Sequence, residues 1–259
     1  MVRVGCVQLA VNADEPIAAR TERALAMTTE AAKRSDVVML PELWPTGAFD
    51  LTLGIEHAEP IDGPLVGQLS DVAAKTSTWV HGGSFVEVDA QGEFFNTSVL
   101  FSPTGGLAAV YRKIHLFGFD QGEAALLTSG TDLVVVETPL GPTGLATCYD
   151  LRFPEMFRRL IDAGAQSVLL TSGWPTKRLP RWTLLAQARG AEDQIWFVGC
   201  NESGTHAGVE LGGHSLVVDP WGEIVSEADG TETVLYAEVD PGYAAQVRTD
   251  FPVLRDRRL

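Results

Sequence analysis

The sequence predicts a mixed α/β fold in which two sheets pack face to face between outer helices, a four-layer α-β-β-α sandwich. Strands and helices alternate at both ends of the chain, whereas hairpins dominate its middle, and this combination indicates mixed sheets. About a dozen strands are predicted, more than one open twisted sheet holds comfortably. Residues 1–259 contain no low-complexity or Pro/Ser-rich linker, so a single domain is predicted.

The chain begins with a strand, a helix and a second strand. Residues 2–11 form a valine-rich run typical of a buried strand, and residues 17–32 repeat their apolar positions at helical spacing. Residues 36–42 form a continuous apolar run that ends in Pro41-Glu42, which indicates a strand covered on both faces. Glu42 is therefore predicted at the rim of a sheet.

The middle of the chain changes to hairpins. A helix over residues 65–76 precedes predicted strands at residues 79–88, 94–101, 107–114, 133–137 and 143–147. Turn tetrads such as Asp89-Ala90-Gln91-Gly92 separate several of these strands and predict antiparallel pairing.

Strand and helix alternate again after Cys148. An apolar stripe predicts a helix through residue 161 that stops at Gly164, and another helix is predicted over residues 181–193. The predicted strands of this part are residues 167–171, 195–200, 215–218, 223–227 and 234–239. Asp240-Pro241 combines an N-cap residue with a first-turn proline and predicts the start of a final helix.

The composition of the chain limits the classes of binding partner and the cellular compartment that are expected. The chain has 19 basic and 34 acidic residues, a net charge of −15, and no basic stripe, so nucleic acid and anionic membranes are not expected partners. Cys6, Cys148 and Cys200 are odd in number and contain no C-x-x-C pair, which argues against a disulfide framework and a zinc knuckle. With no signal-like N-terminus and no 18-residue apolar span, a soluble cytoplasmic protein is predicted. Cys6 and Cys200 are predicted core residues.

Cys148 stands where an apolar strand is predicted to give way to a helix. Such a position offers free backbone N–H groups and a helix dipole, and it predicts a stabilised thiolate. A cysteine alone usually packs as a small hydrophobe, and Glu42 or Lys113 alone would fit a loop or an edge strand. Together with Glu123, these residues provide a base, a cation and a nucleophile, the groups that acyl transfer from an amide requires.

Three ordered motifs carry a resemblance to a known family. The motifs Leu-Pro-Glu at 40–42, Tyr-Arg-Lys-Ile-His-Leu at 111–116 and Cys-Tyr-Asp-Leu-Arg-Phe-Pro-Glu at 148–155 resemble the nitrilase superfamily of carbon–nitrogen hydrolases. The segments Gly-His-Ser at 213–215 and Asp-Pro-Trp-Gly-Glu at 219–223 are similar to its late segments. The resemblance therefore spans nearly the whole chain.

The resemblance implies an enzyme that needs no metal or organic cofactor, takes a small-molecule amide and associates as a homodimer or larger homo-oligomer. It implies Glu42 as general base and acid, Lys113 as cationic stabiliser and Cys148 as nucleophile, with Glu123 positioning the lysine and the substrate. In this mechanism the Cys148 thiolate attacks the carbonyl, and the Lys113 ammonium and the Tyr149 N–H hold the oxyanion.

The motif at 148–155 looks most like the ω-amidase and deaminated glutathione amidase branch. That branch removes the terminal amide of small carboxylates, so Arg152 is expected to bind a substrate carboxylate; the alternative is a salt bridge with Glu155 or Asp150. Trp174 is expected either to wall the pocket or to pack in the core.

Other functions use the same residues. An N-carbamoyl amine or amino-acid hydrolase would differ only in its pocket, and in a nitrilase a tryptophan often precedes the cysteine, where this chain has Thr147. A catalytically silent binding protein would normally have lost a catalytic residue, and none is lost here. A thiol protease would pair Cys148 with a histidine, but no papain-like context surrounds it. The candidate partners would be His81, His115, His206 and His214.

Overall fold

The computed structural model describes residues 1–118 and 122–258, and these ranges contain fourteen strands, seven α-helices and two 3₁₀ helices. The strands are β1 (Val2–Gln8), β2 (Val37–Met39), β3 (Trp79–Val88), β4 (Phe94–Phe101), β5 (Leu107–Arg112), β6 (Val135–Thr138), β7 (Gly141–Thr147), β8 (Ser167–Ser172), β9 (Trp196–Asn201), β10 (Ser203–His206), β11 (Val209–Gly212), β12 (Leu216–Val218), β13 (Ile224–Glu227) and β14 (Thr233–Val239). The helices are α1 (Ile17–Ala32), α2 (Leu51–Glu56), α3 (Pro64–Thr76), α4 (Glu123–Leu126), α5 (Pro154–Asp162), α6 (Leu179–Asp193) and α7 (Tyr243–Asp250). The 3₁₀ helices are Cys148–Arg152 and Thr176–Arg178.

Two six-stranded sheets form the centre of the fold, in the orders β14-β1-β2-β3-β4-β5 and β13-β12-β9-β8-β7-β6. Each has three neighbouring parallel strands, β1–β3 or β7–β9, flanked by antiparallel strands. Helices α1 and α3 cover the first sheet, and α5 and α6 cover the second. The predicted α-β-β-α sandwich is confirmed. One apolar cluster joins both sheets, which supports the proposal of a single domain over 1–259.

Side chains of β1 and β2 alternate between the two apolar clusters, as the two-residue period of a strand requires. Cys6 and Met39 belong to the cluster that contains the second sheet, whereas Val7 and Val38 pack with the helices. The sheets are in close contact, because the Cys200 Sγ of β9 lies 3.4 Å from the Val7 carbonyl oxygen and 3.5 Å from that of Met39.

Several strands are shorter than predicted. β1 ends at Gln8 rather than at residue 11, and beyond it Ala10 forms only an isolated bridge with Ser203. β5 ends at Arg112, so Lys113 follows the strand directly.

The final helix begins later than predicted, at Tyr243. The Asp240 carboxylate accepts the Gly242 N–H at 2.9 Å and closes a turn before the helix instead of capping it. No helix in the described part of the chain is both long and apolar enough to cross a membrane.

The sequence did not predict α2, α4 or the ribbon formed by β10 and β11. The ribbon has little apolar alternation, and it turns at Ala207 and Gly208, whose φ values are 49° and 72°. Helix α2 has only six residues, but it carries a recognisable N-cap, because Asp50 Oδ1 accepts the Leu53 N–H at 3.0 Å.

Candidate active site

The candidate site lies where strands of both sheets end. Glu42 follows β2, Cys148 follows β7 and Gly173 follows β8, so the carboxyl ends of three parallel strands meet at one edge. A cavity of about 530 Å³ opens there. All seven site residues predicted from the sequence line it: Glu42, Lys113, Glu123, Cys148, Tyr149, Arg152 and Trp174.

Lys113 is the centre of a buried ion network. Its side chain is 1% exposed, and Nζ donates to Glu42 Oε1 at 2.7 Å and to Glu123 Oε2 at 2.6 Å. Burial acts to lower the pKa of Lys113, but the charges of Glu123 and Glu42 raise it well above its usual value. Lys113 is therefore held as an ammonium.

The two carboxylates share a buried amide. Asn96 Nδ2 donates to Glu42 Oε1 at 3.0 Å and to Glu123 Oε1 at 2.6 Å. The other oxygen of Glu42 accepts the Gly173 N–H at 2.9 Å, and Glu123 Oε2 accepts the Phe117 N–H at 2.9 Å. Burial raises the pKa of Glu123, while the neighbouring ammonium lowers it. These contacts fix the positions of both carboxyl groups.

Cys148 occupies a strained backbone position. Its φ of 45° lies in the left-handed region, which residues other than glycine seldom adopt. It is the first residue of the 3₁₀ helix, and the α-helix predicted after it begins only at Pro154. The strain turns the chain sharply at the end of β7 and presents the thiol to the cavity.

The Asp150 carboxylate stabilises this turn. It is fully buried, and its Oδ2 accepts the Thr147 N–H at 2.9 Å and the Tyr111 hydroxyl at 2.6 Å. Its Oδ1 accepts the His115 N–H at 3.1 Å. Asp150 therefore ties the turn that begins at Cys148 to the end of β5, the strand that leads to the buried lysine.

The surroundings of the Cys148 sulfur favour the protonated thiol. The residue is half-buried, yet burial raises the pKa of its thiol well above the usual value, and the charge of Glu42 raises it further. The charge of Lys113 lowers it by less. Burial and the charge of Glu42 therefore oppose the stabilised thiolate that the sequence suggested at this position.

Tyr149 brings a backbone donor to the cavity. As the second residue of the 3₁₀ helix, it has an N–H group with no acceptor inside that helix. Its ring packs edge-on against Phe117 and Phe153, with centroids 5.2 Å apart in both pairs. This packing fixes the residue that follows the thiol.

Arg152 faces the cavity rather than its acidic neighbours. Its guanidinium carbon lies 4.9 Å from the centre of the Trp174 ring. In the described part of the chain, neither Glu155 nor Asp150 accepts a hydrogen bond or ion pair from it. The salt-bridge alternative for Arg152 is therefore wrong.

Trp174 both walls the cavity and packs in the core. It is 2% exposed, and its ring lies 5.7 Å from that of Trp182. Its backbone N–H donates to Asn201 Oδ1 at 2.6 Å, and its Nε1 donates to the Arg178 carbonyl at 2.9 Å. Trp174 therefore occupies both of the positions that were predicted as alternatives, the cavity wall and the core.

The histidines have other contacts, and none lines the cavity within the described ranges. His115 Nδ1 lies 2.7 Å from Asp150 Oδ1, and His214 Nδ1 lies 2.9 Å from Glu227 Oε1. Cys148 therefore has no histidine partner there, which argues against a thiol protease.

The remaining thiols are core residues, as predicted. Cys6 and Cys200 are fully buried and free. Among the residues that the structure describes, no three His, Cys, Asp or Glu side chains cluster as metal ligands would.

Comparison with protein families decides the affiliation of the chain. The model of the carbon-nitrogen hydrolase family matches residues 3–249. The chain belongs to the carbon-nitrogen hydrolase family. This carbon-nitrogen hydrolase is an enzyme that hydrolyses carbon–nitrogen bonds, as amidases do. The resemblance seen in its motifs is confirmed.

Relatives match this hydrolase over nearly its whole length. It is 39% identical to a 2-oxoglutaramate amidase of Paenarthrobacter nicotinovorans, over 98% of this chain and 89% of that protein. It is 33% identical to the omega-amidase NIT2 of Mus musculus, over 99% and 95% of the two chains. Nit3 of Saccharomyces cerevisiae, a member of branch 10 of the nitrilase superfamily, superposes with a TM-score of 0.91 at 30% identity, covering 100% and 97% of the chains.

Two residues of the hydrolase site were missed by sequence reasoning. Asn96 lies on β4, where a strand was predicted. The amide within that apolar run is the sequence signal that could have found it, because a buried amide needs hydrogen-bond partners. The sequence indicated Asp150 only as an alternative partner of Arg152. The four hydrogen-bond partners of the Asp150 carboxylate belong to three residues, two of them far from it in sequence, so no local sequence pattern indicates them.

A further buried carboxyl lies behind the hydrolase site. Glu202 is fully buried, and neither side-chain oxygen has a hydrogen-bond partner among the described residues. Burial raises the pKa of Glu202 well above its usual value, the charge of Glu42 adds to this, and Arg20 lowers it by less. A Cβ on Gly173 would lie 2.5 Å from Ala48 Cβ and 2.8 Å from Glu202 Oε2, so glycine is required there.

Glu202→Gln is expected to flatten the pH dependence of stability. The pKa of Glu202 is higher in the folded than in the unfolded protein. Its contribution to stability is therefore fully present at pH values below the unfolded pKa and is lost as pH rises through the folded pKa. Glutamine binds no proton, so the variant lacks this loss. Between pH 5 and 7 its free energy of unfolding, relative to that of wild type, should rise by up to about 1.4 kcal/mol per pH unit. Urea unfolding at pH 5, 6 and 7 measures this gain. The exposed Glu155→Gln is the control, and parallel curves for wild type and Glu202→Gln would contradict the expectation.

Proposed function

We propose that this carbon-nitrogen hydrolase removes the terminal amide of a small carboxylate through a thioester on Cys148. Relatives named 2-oxoglutaramate amidase and omega-amidase support this substrate class. The observation that carries it is the Arg152 guanidinium, which lines the cavity of Cys148 and pairs with neither Glu155 nor Asp150. An arginine without an acidic partner is suited to a substrate carboxylate.

In the proposed first step, Glu42 removes the proton of the Cys148 thiol as the sulfur attacks the amide carbon. The raised pKa of the buried thiol supports this role, because the thiolate is not the resting form and a base must accept the proton. Glu42 lines the same cavity as the thiol, and its carboxylate is fixed by Asn96 and Gly173.

Two donors are proposed to stabilise the oxyanion that forms on the amide oxygen. One is the Lys113 ammonium, whose raised pKa keeps it charged throughout the reaction. The other is the Tyr149 N–H, which has no acceptor in its own 3₁₀ helix. Glu123 holds Lys113 in place through an ion pair with its ammonium group.

In the remaining steps, Glu42 gives its proton to the leaving nitrogen, the C–N bond breaks and ammonia departs. Glu42, again a carboxylate, then takes a proton from water as the water oxygen attacks the thioester carbon. Collapse of this second intermediate expels the Cys148 sulfur, which recovers the proton, and releases the acid. Each proton is carried by one buried carboxyl group.

Ammonia release from a substrate panel tests this proposal. We expect kcat/KM for 2-oxoglutaramate to exceed that for pentanamide by about 10- to 100-fold, because the neutral amide forgoes charge-assisted hydrogen bonds to Arg152. An N-carbamoyl amine and an aliphatic nitrile complete the ammonia assay, and deaminated glutathione is followed by its leaving group, the free amine of cysteinylglycine. Faster turnover of the N-carbamoyl amine, the nitrile or pentanamide would overturn the proposed substrate class.

We also propose that the enzyme is a cytoplasmic homodimer or larger homo-oligomer. Three free cysteines support a reducing compartment. The family resemblance supports self-association, and light scattering on the purified protein would compare its mass with 27.9 kDa for one chain.

A further inference from the structure

Two arginines reach the cavity of an enzyme whose net charge is −15. Arg152 and Arg178 both line it, and neither guanidinium donates a hydrogen bond or joins an ion pair in the described part of the chain. Arg23 and Arg112, by contrast, are bound to carboxylates. Unpaired cations in the cavity of an acidic protein point to an anionic ligand.

The backbone of Arg178 is held firmly. It ends the second 3₁₀ helix, its N–H donates to the Pro175 carbonyl at 2.9 Å, and its carbonyl accepts the Trp174 Nε1–H at 2.9 Å. Its guanidinium carbon lies 4.9 Å from the centre of the Phe117 ring, which also lines the cavity. Trp174 therefore contacts both arginines, since its ring lies beneath the Arg152 guanidinium.

The carboxylates that line the cavity already have partners. Glu42 and Glu123 bind Lys113, and Asp50 Oδ1 accepts the Leu53 N–H at the start of α2. Among the described lining residues, none of these three carboxylates forms an ion pair with Arg152 or Arg178. A ligand carboxylate would supply acceptors that residues 1–118 and 122–258 do not give to these two side chains.

We propose that Arg178 is a further specificity-determining residue, which binds the substrate carboxylate together with Arg152. The inference rests on the proposed function and assigns a second residue to its carboxylate site. Guanidinium groups bind carboxylates through paired N–H groups, and two of them joined through Trp174 fix the carboxylate relative to Cys148. A substrate without a carboxylate leaves both cations unpaired, which is the source of discrimination.

Matched substrates test Arg178 directly. Glutaramate and pentanamide share a five-carbon amide chain and differ in having a carboxylate or a methyl group at the far end. Arg178→Met is expected to lower kcat/KM for glutaramate by about 10- to 100-fold, mostly through KM, and to leave pentanamide within about twofold. Arg178→Lys should recover only part of the loss, because an ammonium cannot form the paired contact.

Lys177→Met is the control, because Lys177 is the exposed neighbouring cation and does not line the cavity. It should leave both substrates unchanged. An equal loss for both substrates in Arg178→Met, or no loss for either, would overturn the role of Arg178.

Binding of glutarate, followed by calorimetry, separates this inference from the proposed function. Arg178→Met should weaken binding by about 10- to 100-fold, and Lys177→Met should not. If wild type binds glutarate through Arg178 but hydrolyses no carboxylate amide, the proposed function fails and the carboxylate site stands. If wild type and Arg178→Met bind glutarate equally, the carboxylate site fails.

Discussion

Cys148→Ala is expected to abolish amide hydrolysis, with kcat lowered by at least about 10⁴-fold. Without the thiol no thioester can form, and water would have to attack the unactivated amide directly. The Lys113 ammonium and the Tyr149 N–H remain in this variant, so any residual rate comes from binding and oxyanion stabilisation. Ammonia release at saturating 2-oxoglutaramate gives the measurement.

Cys200→Ala is the matched control for this substitution. Cys200 is fully buried, and its Sγ contacts backbone carbonyls of β1 and β2 away from the cavity lining. We expect it to keep kcat within about twofold while losing about 1–2 kcal/mol of stability from the small void. A Cys148→Ala protein that retained more than about 1% of the activity would show that hydrolysis does not pass through the thioester.

The position of the site could be predicted from the sequence because it depends on topology. Glu42 and Cys148 each end an apolar run, and such runs form the parallel centre of a sheet whose carboxyl ends share one edge. Lys113 arrives at this edge from the antiparallel part of the first sheet. The apolar runs predicted that Glu42 and Cys148 lie at strand ends, and the family resemblance implied that they form one site with Lys113.

The state of the site could not be predicted, because it depends on burial and on side chains far apart in sequence. The thiol next to a helix start suggested a thiolate, yet burial and the charge of Glu42 reverse this. Arg152 has acidic neighbours two and three residues away, yet its guanidinium lies over the ring of Trp174, which follows another strand. The ribbon of β10 and β11 was missed because its residues show little apolar alternation.

Glu42→Gln is expected to lower kcat by about 10³-fold. Glutamine keeps the size of the side chain but cannot accept the thiol proton, protonate the leaving nitrogen or activate water. The Lys113 ammonium retains Glu123 as a partner, so the ion network is reduced rather than lost. Loss in kcat with little change in KM would show that Glu42 acts on the reacting atoms rather than on binding.

Alkylation of Cys148 distinguishes loss of the base from loss of the fold. Burial raises the pKa of this thiol, and the charge of Glu42 raises it further, so Glu42→Gln should lower it towards the usual value. Iodoacetamide reacts with thiolates, and we expect it to label the variant faster than wild type at neutral pH while amide hydrolysis falls. The exposed Glu155→Gln, which alters the same motif, should change neither rate. If labelling slowed together with hydrolysis, circular dichroism would separate a misfolded variant from a folded one that lacks its base, because a general base also assists alkylation.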